Sequence, residues 1–423
     1  MSDTANDRYT IVSSDCHAGL QCEGYRPYLE SQYHAAFDEF LAERNARREE
    51  AMRMNYDYIM GWETEHEEGL RGAYDAEQRD KELDADGVSA EVIFADADAI
   101  TGMASPPFGA GLSAGTIEDP ELAFAGARAH NRFLEELCSR SPERRGGVAL
   151  VPVTHDIARG VAEVERLAGT PGIRGVMVPT MWHDRLPYNH RDYDPFWAAC
   201  QDAGFVVHTH SGEAPQDEYG DNIGIYLAEV VWWAIRPLWH LLFSGAFERY
   251  PDLKFTVTEA AAYWAPDLMW KWDFYFGGGH TTKKMAAMMQ GVISKLPSEY
   301  FGTNIFIGAS TMSKEEIRRR HVIGTHVAMW GTDYPHPEGT WPNTVARLKN
   351  DFADVPVEDA RDMLGLTAAR CYGFDLDALA PIASAIGPRP EDLGQDPANV
   401  RTDPETVAAA RWWKQEYGIT GAL

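Results

Sequence analysis

Eight short apolar runs, separated by helical or insertion segments, constrain this chain more than any other feature. They are 10–14 (TIVSS), 88–95 (VSAEVIFA), 147–153 (GVALVPV), 173–179 (IRGVMVP), 205–210 (FVVHTH), 254–259 (KFTVTE), 304–308 (NIFIG) and 327–332 (VAMWGT). Short apolar runs bounded by turn signals read as buried strands. Helical periodicity lies between them at 77–87, 119–140, 156–168 and 194–204, and Asp119–Pro120 marks a helix start. Eight β–α units in a row predict an α/β chain folded as a (β/α)8 TIM barrel. Separate Rossmann-like domains are the structural alternative, but no GxGxxG follows a strand and no GxxxxGK[ST] occurs.

The regular pattern is interrupted. Insertions at about 20–75, 212–250 and 263–300 are aromatic or acidic, and the first reads as a lid or an interface. The barrel domain is expected over 1–380, with 357–372 as its last helix. The remainder, 381–423, turns to Pro and Asp and then carries Trp412–Trp413. Adjacent tryptophans predict docking onto the barrel or onto a neighbouring subunit, and with the insertions they predict a homodimer.

Composition excludes several partners. Lys+Arg is 38 against Asp+Glu 65, a net charge of -27. A field of that sign repels nucleic acid and anionic membranes, so an anionic substrate needs local cations or a metal. There is no apolar run of about 18 residues, and MSDTANDRYT lacks a signal-peptide core. Cys16, Cys22, Cys138, Cys200 and Cys371 are scattered and form no CxxC pair, which predicts a cytoplasmic protein without a disulfide framework. A small-molecule substrate is the expected partner, with no nucleic acid and no membrane.

In a parallel barrel the chemistry sits at the carboxyl ends of the strands. Asp15 and His17 follow the first run two apart, hence on one face, with Cys16 on the other. His208 and His210 repeat that spacing on the fifth. Glu259 ends the sixth run. Asp333 follows the eighth, where Tyr334–Pro335–His336–Pro337 cannot extend a ladder. Six oxygen and nitrogen donors at one end of four strands predict a site for Fe, Zn or Mn, with one ion or two. Such a site activates water or polarises a carbonyl. The main reading is a hydrolase of an ester, thioester such as acyl-CoA, lactone or amide with an apolar acyl group. The alternative is a nonoxidative decarboxylase or hydratase of an aromatic or unsaturated acid. A barrel used only for binding is the third. Asp333, Glu259 and His208 are the candidate acid/base groups. Trp264, His336 and Trp341 are candidate substrate contacts, and Arg236, Lys271 or Lys283 could steer an anion.

DCHAG, HTHSG, EAAAYW and GTDYPHPEG, over about 11–374, resemble the amidohydrolase superfamily. The closer resemblance is to the branch holding aminocarboxymuconate-semialdehyde decarboxylase and the resorcylate decarboxylases. The resemblance implies a metal-bearing barrel with Asp15, His17, His210 and Asp333 as ligands. Asp15 stands where His is frequent, Glu259 stands where the decarboxylases usually carry His, and His208 is an extra imidazole. The fourth run has no Lys for carbamylation, so a second metal would be bridged by Glu259, Asp15 or Asp333.

Overall fold

The computed structural model describes residues 8–97, 105–220, 222–279 and 283–417, with the side chains of 47–60 outside the description. All eight expected strands form. They are β1 (Val12–His17), β2 (Ala90–Phe94), β3 (Arg145–Leu150), β4 (Ile173–Met177), β5 (Val206–His210), β6 (Lys254–Thr258), β7 (Ile305–Gly308) and β8 (Ala328–Met329). They pair in parallel in sequence order. Individual hydrogen bonds close the seam between β8 and β1: Ser14 N to Trp330 O at 3.0 Å and Asp333 N to Asp15 O at 2.8 Å. The result is a nearly closed (β/α)8 barrel.

The helices between strands start as their sequences dictate. Asp119 caps Pro120–Ser139 through the Glu121 amide, and Asp156 caps Ile157–Leu167 through that of Arg159. Gly204, at φ 69°, ends Asp194–Ala203 in the left-handed turn that glycine tolerates. Strand alternation divides the core. Val92, Phe94, Leu150, Val206 and Phe306 pack with Tyr372 and Phe374. Their neighbours Ile93, Val207, Val257 and Ile307 pack in the larger core that includes the helices.

Two expectations need correction. β1 does not stop at Ser14 but runs to His17, with one extra residue between Ser13 and Cys16 relative to β2. That bulge decides which way the site residues face. Val12 aligns with Ala90, and His17 aligns with Phe94. Without the extra residue, Asp15 and His17 would fall on the same side as Ile11, away from the barrel interior. The 357–372 segment is also not one regular helix, because Asp362–Leu366 is a π-helical turn.

The 381–423 segment contains helices Pro404–Ala410 and Trp413–Glu416. Trp413 is buried, and its indole N–H donates to Asp273 Oδ2 at 3.0 Å, on helix Ala265–Phe276 of the same chain. Trp412 remains 46% exposed beside Trp270. Among the described residues no helix is long and apolar enough to cross a membrane.

Candidate metal centre

The carboxyl ends of β1, β5, β6 and β8 bring Asp15, His17, His210, Glu259, Asp333 and His336 together. Three imidazoles repeat one pattern. His17 Nδ1 lies 2.6 Å from Ala95 O, His210 Nδ1 2.8 Å from Ser211 O, and His336 Nε2 2.8 Å from Asp96 O. A carbonyl oxygen only accepts, so in each ring that nitrogen carries the proton. The opposite nitrogens face carboxylates. His17 Nε2 is 3.5 Å from Asp15 Oδ1 and 3.3 Å from Asp333 Oδ1. His210 Nε2 is 3.3 Å from Asp15 Oδ1, and His336 Nδ1 is 3.0 Å from Asp333 Oδ1. Locking one ring nitrogen on a carbonyl while the other points into a carboxylate cluster is how proteins orient histidine ligands.

Asp15 Oδ2, His17 Nε2, Asp333 Oδ1 and His336 Nδ1 are buried and make no hydrogen bond. Buried polar atoms without partners are costly and rare. A divalent cation satisfies them together, and a donor set of nitrogen and oxygen without thiolate suits Mn, Fe or Zn. The backbone is strained at this rim. Asp96, Glu259, Ser310 and Asp333 have φ of 61°, 51°, 53° and 62°, each just beyond β2, β6, β7 or β8. Left-handed non-glycine residues cluster at functional sites, where surrounding structure holds them.

The charges shape proton affinities in the metal-free chain. Burial and the neighbouring His336 pull His17 down, against the pull of Asp333 and Asp15. Burial also opposes protonation of His210, but Asp15 and Glu259 outweigh it and hold the imidazole at about 9. Asp333 likewise outweighs burial at His336, which sits at about 10. Burial and the Asp333 charge push Glu259 up to about 8. Asp333 itself is held low, because the His336 and His17 imidazoles overcome its burial. Metal uptake releases protons from such ligands.

Not every candidate joins this cluster. His208 lies inside the barrel with Nδ1 3.2 Å from Thr258 Oγ1 and its ring stacked on Tyr372, while Phe94 packs against both His208 and His210. Burial and then His210 hold its basicity far down. It occupies the layer beneath the cluster, and its Nε2 is also buried without a hydrogen bond. Trp264 is packed in the core with its N–H on Ala260 O and Ala261 O, and the Trp341 N–H is on Glu82. Both indole N–H groups are engaged within the chain. Arg236 lies over the Trp182 ring at 4.1 Å. Lys271 is near Tyr275, and Lys283 begins an exposed helix.

His336, expected as a substrate contact, is one of the three locked imidazoles. Other residues escaped the sequence reading. Glu338 offers a carboxylate beside Glu259 and Asp333. Ser211 Oγ donates to Glu259 Oε2 at 2.9 Å. Buried Glu213 accepts from Thr180 Oγ1 at 3.0 Å and the Met181 amide at 3.3 Å, and pairs with His183 at 3.3 Å. It ties the loop after β5 to the loop after β4. Only its place in HTHSGE, three residues past His210, hinted at a role.

An eight-stranded parallel barrel with imidazoles and carboxylates gathered at its carboxyl rim defines a metal-dependent barrel enzyme. The chain belongs to the amidohydrolase family, which matches residues 95–374. It is 24% identical over 242 residues to the gamma-resorcylate decarboxylase of Rhodococcus jostii, covering 52% of this chain and 69% of that one. The 5-carboxyvanillate decarboxylase of Sphingomonas paucimobilis shares the fold at a TM-score of 0.58 and 20% identity, over 87% of this chain and 100% of that one. A dihydroxybenzoic acid decarboxylase from a Polaromonas species, solved with bound manganese and 2-nitroresorcinol, shares it at a TM-score of 0.55 and 16% identity, over 86% and 97%. These relatives are decarboxylases. That finding overturns the hydrolase and thioesterase reading of the sequence and favours the alternative.

Proposed function

We propose that this chain is a metal-dependent nonoxidative decarboxylase of a hydroxylated aromatic carboxylic acid, with manganese as the metal. The observation that carries the reading is the buried, unpartnered donor set of Asp15, His17 and Asp333, on a chain whose curated relative removes a carboxyl group from an aromatic ring. Asp15, His17, His210 and Asp333 would hold the ion. A bound divalent cation supplies charge stabilisation to the substrate's oxygens and fixes their orientation.

The chain's own residues must then manage one proton. Loss of carbon dioxide from an arenecarboxylate leaves the bonding pair on the ring carbon, and a proton must arrive there. The balance is one carboxylate and one proton in, one arene and one carbon dioxide out. No electron acceptor is needed. Glu259 takes this role in the proposal. Its Oε2 accepts from Ser211, it lies 3.3 Å from His210 Nδ1, and its side chain is 26% exposed. It therefore borders both the cluster and solvent, from which it can be reprotonated after each turnover.

The test is direct. Manganese-loaded protein is offered a panel of mono- and dihydroxybenzoates, and carbon dioxide and arene are measured together. The reading expects equal amounts of both from at least one acid, and none after chelation. Metal-loaded protein that releases no carbon dioxide from the panel contradicts it.

A further inference from the structure

We propose that Ser310 is a specificity-determining residue at this rim, its hydroxyl donating a hydrogen bond to a ring hydroxyl oxygen of the aromatic acid. That the ligand is a hydroxylated aromatic acid rests on the decarboxylase reading. The place of the hydroxyl does not.

Three neighbouring strands end alike. β6, β7 and β8 lie side by side. Each leaves the sheet through a non-glycine residue in the left-handed region: Glu259 at φ 51°, Ser310 at 53° and Asp333 at 62°. Backbone bonds set the three in one row, since Glu259 N donates to Gly308 O at 2.9 Å and Gly331 N donates to Ser310 O at 3.0 Å. Glu259 and Asp333 offer carboxylates to one group of donors. Ser310 stands between them. Glycine adopts such a φ with less strain than serine. A side chain held there against that preference is a mark of functional sites.

The surroundings hold Ser310 in place. Buried Glu316 accepts from the Ser313 amide and hydroxyl, each at 2.8 Å, and from the Ala262 amide. That carboxylate ties the loop after β7 to the loop after β6, so the hydroxyl is carried on a fixed rim.

The hydroxyl itself is unused. Ser310 is only 5% exposed, and its Oγ makes no hydrogen bond among the described residues. The unpaired atoms of Asp15, His17, Asp333 and His336 are sealed from solvent, but Ser310 Oγ is not. A polar group that is nearly enclosed, unpaired and still reachable is one for a ligand to engage. Neighbouring strands lie about 4.8 Å apart, so one benzene ring spans the step from the end of β6, with Glu259, to the end of β7. The Asp333 charge beside Ser310 disfavours a carboxylate there and tolerates a neutral phenol oxygen. A hydroxyl donor then reads whether the ring carries an oxygen at that position.

The experiment offers benzoate and its mono- and dihydroxy derivatives to manganese-loaded, full-length protein. Calorimetry measures affinity for acids that are not turned over, and kcat/KM serves for those that are. The inference expects wild type to favour one hydroxylated acid over the acid lacking that hydroxyl. Ser310→Ala is expected to lower this preference about tenfold, the size of one neutral hydrogen bond, with a smaller change for unsubstituted benzoate. Should alanine at this φ fail to fold, Ser310→Gly is the second arm, with the same loss of preference. A serine with a structural role alone would not tie its hydroxyl to one ring position. Variants that keep the wild-type preference overturn the inference, as does a wild type without one. Carbon dioxide release with the preference intact in the variants overturns this inference and leaves the decarboxylase reading standing. A preference lost in the variants of a protein that releases no carbon dioxide does the reverse.

Discussion

Two buried charge clusters meet at β1, and His17 belongs to both. Its carbonyl accepts from Arg79 NH1 at 2.9 Å, while its imidazole faces Asp15 and Asp333. The Arg79 cluster is complete within the chain. Its guanidinium pairs with Glu91 through two bonds, at 2.6 and 2.7 Å, and also reaches Gly72 O at 3.0 Å. The rim cluster is equally buried but leaves Asp15 Oδ2, His17 Nε2, Asp333 Oδ1 and His336 Nδ1 unpartnered. A structural ion pair supplies its own counter-charge and bidentate geometry. A binding site leaves donors for a ligand to engage. The first cluster fixes the strand from which the second acts.

That contrast is breakable by size. Removing one partner of the closed pair strands a buried charge, so Glu91→Leu is expected to lower folding stability by about 3–5 kcal/mol. In chelated protein, Asp15→Asn is expected to cost less, because one Asp15 oxygen has no partner and the amide oxygen can keep the 3.3 Å contact of the other with His210. Urea denaturation of both variants compares the losses, and an equal loss in Asp15→Asn would erase the distinction. Next in size is turnover. Asp333→Asn and His17→Ala are each expected to cut carbon dioxide release at least about a hundredfold, with far-ultraviolet circular dichroism unchanged. Near-wild-type rates in either would remove the rim from the chemistry.

A smaller effect separates the two histidines of β5. His208→Phe is expected to keep turnover within about tenfold of wild type, while His210→Ala loses it as Asp333→Asn does. Equal losses in both would put His208 back in the site. The smallest effect lies at the outer edge. Glu213 raises the pKa of His183 above the ordinary imidazole value of 6.5, against partial burial. A raised folded-state value means that the pair stabilises the fold below the unfolded pKa and loses that contribution as pH rises through the folded one. Nuclear magnetic resonance titration of His183 should fall back toward 6.5 in Glu213→Gln, and an unchanged midpoint would deny the link between the two loops.

The strands were legible because parallel strands covered on both faces read as nearly continuous apolar runs. The ligand pairs were legible because residues two apart share a face. Which face was not legible for Asp15 and His17, since the bulge that turns them inward leaves no mark in TIVSSDCH. The depth of His208 was hidden for a related reason. It shares the face of His210, but two residues along a strand is about 6.6 Å, enough to place it in the layer below. Nothing in YPHPEG reveals that Asp333 adopts φ 62° and that His336 comes to stack on His17. Trp264 and Trp341 stand near Glu259 and Asp333 in sequence, yet their N–H groups found acceptors on Ala260, Ala261 and Glu82 within the chain.

The central claim is that the rim cluster is incomplete without a divalent cation. The direct test is the melting temperature of chelated protein as manganese is added. A ligand that binds only the folded state raises that temperature with concentration. The account predicts a rise in wild type that saturates, and none in Asp333→Asn. A wild-type melting temperature indifferent to manganese, iron and zinc would contradict it.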